Sequence, residues 1–142
     1  MMAMNIKPEI TKMVNKINFE AKSRAFRASN ELRNSALTVL RGQRSGRIYK
    51  RPFASGTYTA SAPGEPPAVR SGDLRRSWRQ KTASESTSKG MMVRPAITTE
   101  VKYAPWLDEG TPKMAPRPFE QPIIEDAKPK IKAIYSEPYL TK

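Results

Sequence analysis

Residues 9–41 read EITKMVNKINFEAKSRAFRASNELRNSALTVLR, a stretch with neither glycine nor proline. Apolar or small side chains recur at Ile10, Met13, Ile17, Ala21, Ala25, Ala28, Leu32, Ala36 and Val39, with Ile6 one turn ahead. The three- and four-residue spacings keep them on one face of a helix. Pro8 suits a first helical turn and Gly42 a C-terminal cap, so residues 1–41 are expected to form one amphipathic helix of about 30 residues and ~45 Å. Alanine in its middle permits close approach of another helix but buries little area per residue. A helix this long is therefore expected to pack on something outside its own domain as well.

Downstream the composition changes. Residues 1–40 hold 7 basic and 3 acidic side chains, residues 41–81 hold 10 and 2, and residues 82–142 hold 9 and 8, which together make the 26 and 13 of the whole chain. The middle segment is also broken by Gly42, Gly46, Pro52, Gly56, Pro63, Gly64, Pro66, Pro67 and Gly72, so residues 42–72 are expected to be an extended basic loop or arm. Leu74–Thr82 reads as a helical turn leading into a strand, Met91–Arg94 and Ala96–Tyr103 resemble strands, the last by alternation of Ile97, Thr99, Val101 and Tyr103 with polar residues, and together they predict an antiparallel meander. Residues 84–90, SESTSKG, read as its hairpin tip. Ile123, Ala127, Ile131 and Ile134 predict a last helix from about Arg117 to Tyr135, kinked or stopped at Pro129 and closed by Pro138. The expected class is a single α+β domain: long N-terminal helix, long extended loop, small antiparallel sheet over residues 73–142, C-terminal helix.

The 142 residues carry a net charge of +13, and only 37% are hydrophobic, so a modest core and an anionic or subunit partner are expected. Cysteine and histidine are both absent. That removes disulfides, thiolate or imidazole metal ligands, the cysteine nucleophile and the usual general base. No apolar run approaches the ~20 residues of a membrane span, and Met1 to Pro8 has no apolar leader segment, so folding in the cytoplasm is expected.

Few residues suggest catalysis. Glu100-Val101-Lys102 has the carboxylate-x-lysine spacing of a metal-dependent nuclease strand, with Asp73 as a conceivable second carboxylate, but alternating Glu and Lys on a solvated strand is the plainer reading. Asp108-Glu109 and Glu125-Asp126 are sequence neighbours whose side chains diverge on a helix. Arg41-Gly42-Gln43-Arg44-Ser45-Gly46-Arg47 is basic and glycine-rich but lacks the phosphate-loop spacing. Neither a catalytic residue, a metal site nor a cofactor is expected. Tyr49, Phe53, Tyr58 and Trp78 are interleaved with basic residues, a pattern suited to phosphate contact and stacking; pairing with acidic faces of adjacent subunits is the alternative. Arg44, Arg47, Lys50, Arg51, Arg70, Arg75 and Arg76 are the candidates to face a nucleic acid.

Three proline- and glycine-punctuated motifs follow in order: residues 61–78, SAPGEPPAVRSGDLRRSW; residues 103–111, YAPWLDEGT; and residues 114–119, MAPRPF. Over about residues 55–125 their order and spacing resemble the tailed-phage family of HK97 gp10-like neck and tail-completion (head-tail joining) proteins. That family has a long N-terminal helix, an SAPGEPP-type loop, a TG-x-L-R-x-S step, a YA-x-x-LE-x-GT step and an RPF step into the last helix. Ser71 stands where Thr is usual, Asp108-Glu109 replaces Glu and its neighbour, and Gln121-Pro122 follows Phe119 where a hydrophobic residue is common. The resemblance implies a structural virion protein without enzymatic activity, a subunit of a homo-oligomeric ring, expected sixfold. The ring would sit in the neck or at the top of the tail, between the head-side connector or stopper and the tail terminator or tail tube, with genomic DNA expected in its lumen. The alternatives are a basic, non-specific DNA-binding protein and, third, a metal-dependent nuclease.

The residue types in these motifs have physical roles. Gly72 permits a tight turn, after which Leu74 and Trp78, one helical turn apart, are expected in the core, with Arg75, Arg76 and Arg79 facing out. Tyr103, Trp106 and Leu107, with Gly110 as a cap, are expected to pack with Phe119, held by Pro116-Arg117-Pro118; core packing and direct subunit contact both fit. On the core reading Trp106→Ala would cost ~3 kcal/mol or more. Pro63, Gly64, Pro66 and Pro67 stiffen a segment suited to lying across a neighbouring subunit.

Overall fold

The computed structural model describes residues 7–51, 55–69 and 72–139. Its elements in chain order are α1 (Lys7–Val39), β1 (Ile48–Lys50), β2 (Thr57–Thr59), α2 (Asp73–Arg76), β3 (Arg79–Gln80), β4 (Ala83–Thr87), β5 (Gly90–Arg94), β6 (Ile97–Thr98), α3 (Ala104–Glu109) and α4 (Glu120–Tyr135). The architecture is α+β. With 33 residues, α1 is about 50 Å long at 1.5 Å per residue.

The antiparallel partner of α1 is α4. Ala25 and Ala28 on α1 and Ala127 on α4 are fully buried, because only small side chains let two helix backbones come this close. Beyond α4 the chain continues along α1 and closes on an arginine. The fully buried Arg24 guanidinium donates to Glu20 Oε1 at 3.1 Å, to the Glu137 carbonyl at 2.5 Å and to the Pro138 carbonyl at 2.6 Å, and lies 4.0 Å from the Tyr139 ring centroid. Arg27 forks onto the Glu137 carboxylate at 2.6 and 3.0 Å. Burying a cation is costly unless acceptors surround it, and here two carbonyls, a carboxylate and a ring face do so.

The second half of α1 also carries the main core. Ala36, Leu40, Leu74, Ala104, Phe119 and Ile123 form the buried cluster, bordered by Val39, Trp78, Ile97, Val101 and Leu107. Trp78 meets Phe119 edge-on, ring centroids 5.9 Å apart. The strands attach to α1 by polar contacts: Ser29 Oγ accepts from the Ala96 N–H at 3.1 Å, and Arg33 Nε donates to the Trp78 carbonyl at 3.0 Å.

Several expectations are corrected in detail. Among the described residues the strands form three two-stranded antiparallel sheets, β1 with β2, β3 with β6 and β4 with β5, in place of one meander. Residues 83–87 are a strand of the β4–β5 hairpin, so most of the SESTSKG tip is ladder: Ser84, Glu85, Ser86 and Thr87 pair in register with Val93, Met92, Met91 and Gly90. α2 ends at Arg76, so Trp78 reaches the core from the segment after the helix. α4 begins at Glu120, because Pro116 and Pro118 hold the preceding chain extended, and it runs through Pro129 to Tyr135. Residues 42–72 are not simply an extended arm: they contain the β1–β2 hairpin, closed at its base by Gly46 N–H to Ala60 O and Ala60 N–H to Arg47 O, each 2.8 Å. Ile6, Phe53, Arg70 and Ser71 lie outside the described residues. No helix among the described residues is long and apolar enough to cross a membrane.

Candidate functional site

The three motifs meet. The Gly64 N–H donates to the Pro116 carbonyl at 3.1 Å, which ties the proline-rich loop to the RPF step. The Arg117 N–H donates to the Leu107 carbonyl at 2.6 Å. Asp108 Oδ1 accepts from the Phe119 and Glu120 N–H groups at 3.0 and 3.1 Å, so a carboxylate on α3 satisfies the open N-terminus of α4 across the fold. Gly110 closes α3 at φ +83°; a Cβ there would lie 2.9 Å from Pro116 Cδ, so glycine is required by conformation and by space. Gly72, at φ +84°, makes the turn into α2.

Between these segments opens a cleft of about 1110 Å³. Leu40, Leu74 and Leu107 floor it, Tyr58, Pro67, Val69, Tyr103, Trp106 and Met114 wall it, and Arg51, Asp73, Arg75 and Arg117 lie on its rim. Its volume exceeds the usual range for a small-molecule pocket and suits a segment of polypeptide. Trp106 is 61% exposed. This corrects the expectation that Trp106 packs with Phe119: Trp78 fills that place, and Trp106 stands on α3 facing the cleft. Tyr103 is likewise exposed, whereas Leu107 is half-buried against the core. Pro67 is buried, Pro66 is partly covered, and Pro63 and Gly64 stand at the surface.

The arginines divide into two sets. Arg44 and Arg75 serve the end of α1: Arg44 Nη2 donates to the Val39 carbonyl at 2.7 Å and Arg75 Nε to the Leu37 carbonyl at 3.1 Å, filling acceptors that a helix C-terminus leaves open. Arg44 Nε also reaches the Pro66 carbonyl at 2.6 Å. Both were candidates to face a nucleic acid, and both are instead engaged by backbone carbonyls. Burial lowers the Arg44 pKa from its ordinary value, an effect that nearby Glu65 opposes. Glu65 accepts from Ser45 Oγ, from the Ser45 N–H at 3.0 Å and from the Ala62 N–H at 2.9 Å. These bonds, the Ser45 hydroxyl first, with the charge of Arg44 adding to them, hold its carboxyl down at about 2. Arg76 pairs with Asp73 at 3.4 Å. Arg47 and Lys50 are exposed on the hairpin, and Arg51 is half-buried with Nε 3.2 Å from the Thr57 carbonyl. Arg70 lies outside the described residues.

Glu100 and Lys102 are not on a strand, since β6 ends at Thr98, so the strand geometry of the nuclease reading is absent. Among the described residues no three acidic side chains gather where they could hold a metal ion. The sequence reading missed the structural carboxylates Glu65 and Asp108 and the buried Arg24. For Glu65 the available signal was a lone acid in a basic, proline-rich stretch; for Arg24, a cation on the apolar stripe. Compared with family models, curated proteins and solved structures, the chain matches none.

Proposed function

We propose that this chain is a structural ring subunit of a tailed-phage neck, joining tail to head connector, and that the cleft is where the neighbouring copy in the ring seats. The observation that carries the reading is the convergence of all three motifs on one cleft whose Trp106 stands exposed. Core packing would explain a buried tryptophan. An exposed one beside Tyr103 and Met114, with arginines on the rim, has the make-up of an interface anchor. The contact is heterologous, cleft of one copy on a different surface of the next, which is how a ring closes.

The test uses Trp106→Ala in the purified chain and in assembling particles. The isolated variant is expected to keep its stability within about 0.5 kcal/mol, as for a surface substitution. It is expected to lose ring formation by native mass spectrometry, and lysates are expected to hold full heads and free tails unjoined. Joined, infectious particles built with the variant would overturn the proposal.

A further inference from the structure

We infer that the β1–β2 hairpin, whose Arg51 and Tyr58 also border the cleft, is a binding site for the phosphodiester backbone of a nucleic acid. From Arg41 to Ala60 the chain carries Arg41, Arg44, Arg47, Lys50 and Arg51 and no Asp or Glu; the first carboxylate is Glu65, already engaged by Ser45 and Ala62. Arg44 is spent on backbone carbonyls at the helix end. Of the remaining cations, Arg47 and Lys50 are exposed and Arg51 half-buried on a hairpin on which no helix or other strand packs broadly. Among the described residues none of Arg47, Lys50 and Arg51 has a carboxylate within salt-bridge distance. Concentrated positive charge without internal counter-charge favours a polyanion.

The hairpin adds a second feature, which points to nucleic acid over an acidic protein face. Strand alternation puts Arg47, Tyr49 and Arg51 on one side and Ile48 and Lys50 on the other. Tyr49 pairs in register with Tyr58, the rings stacked at 5.9 Å between centroids and 27° between planes, and the Arg47 guanidinium lies 5.5 Å from the Tyr49 centroid. Tyr49 is exposed. An aromatic surface flanked by cations can stack a base while the adjacent cations hold its phosphates, and every base offers a face to stack. Sequence-independent binding is the expected outcome.

The experiment measures fluorescence anisotropy of the full chain with a labelled single-stranded DNA and its duplex across a salt series, with poly-glutamate as competitor. Both DNA forms are expected to bind at low salt. Arg47→Gln with Arg51→Gln removes two phosphate partners on the Tyr49 side and is expected to flatten the log–log salt slope by about 1.8 for duplex and about 1.4 for single strand. The matched control, Lys128→Gln with Lys132→Gln on exposed α4 positions, makes the same charge change and is expected to leave the slope in place. Tyr49→Ala is expected to weaken single-strand binding roughly tenfold and spare the duplex. Absence of binding, an equal loss in the control, or displacement by poly-glutamate as effective as by unlabelled DNA would overturn the site. Unchanged single-strand binding in Tyr49→Ala would overturn its stacking role. Because Trp106→Ala is expected to bind DNA normally, failure of this site and failure of the ring reading are distinguishable.

Discussion

The two halves of α1 share one helical periodicity and meet opposite surroundings. In the C-terminal half, Ala25, Ala28 and Ala36 have no exposed surface; in the N-terminal half, Ile10, Met13, Val14 and Ile17 on the same stripe are exposed, Met13 by 52%. The larger apolar side chains are the uncovered ones. The reason is length: α4 has 16 residues, about 24 Å, against about 50 Å for α1. Among the described residues, the tail that prolongs its cover reaches as far as Arg24, where Glu137, Pro138 and Tyr139 close around the guanidinium. Periodicity therefore marks which face of a helix is apolar, while the reach of the partner decides how much of that face is core.

Substitutions at the boundary test this contrast most severely. Arg24→Met is expected to cost about 3 kcal/mol in denaturant unfolding, since it strips Glu20 and two tail carbonyls of a buried cation. A cost below about 1 kcal/mol would mean that the clasp contributes little to the covered half. Ala28→Leu, which forces a larger side chain between α1 and α4, is expected to cost about 2 kcal/mol. If the variant is as stable as the parent chain, the two helices are not closely packed there.

The proline-rich loop, held to the C-terminal end of α1 through Arg44, supplies a pH-dependent comparison. Glu65 has its carboxyl held at about 2 in the fold against an ordinary value of 4.5. A depressed carboxyl stabilises the fold above its unfolded value, and that contribution is lost as the pH falls from about 4.5 towards about 2. Glu65→Gln is expected to lower the melting midpoint at neutral pH, with the gap to the parent chain narrowing through that window. A gap independent of pH would show that the carboxylate bonds are not what holds the loop. The smallest effect belongs to the uncovered half. Ile17→Ser is expected to change the stability of the isolated chain by no more than about 0.5 kcal/mol. A loss above about 1 kcal/mol would show this stretch to be covered within its own chain.

Much of the fold was legible in local pattern. The long helix followed from residues 9–41 and the last helix from Ile123, Ala127, Ile131 and Ile134, because a side-chain period of 3.6 is a local property, whereas the alternation over Ala96–Tyr103 yields a strand only at Ile97–Thr98. The order of the motifs around Gly72, Gly110 and Phe119 was likewise written in the chain, and glycine at positive φ is a local demand. What only the tertiary structure decided is which of two like residues does what. Trp78 enters the core and Trp106 faces the cleft; Arg44 and Arg75 cap the end of α1 while Arg47 and Lys50 stay at the surface. Those assignments depend on which carbonyls, rings and helix ends are brought near by distant parts of the chain, and on how far α4 reaches along α1. No local periodicity encodes such proximities, because burial and hydrogen-bond satisfaction are properties of the assembled whole.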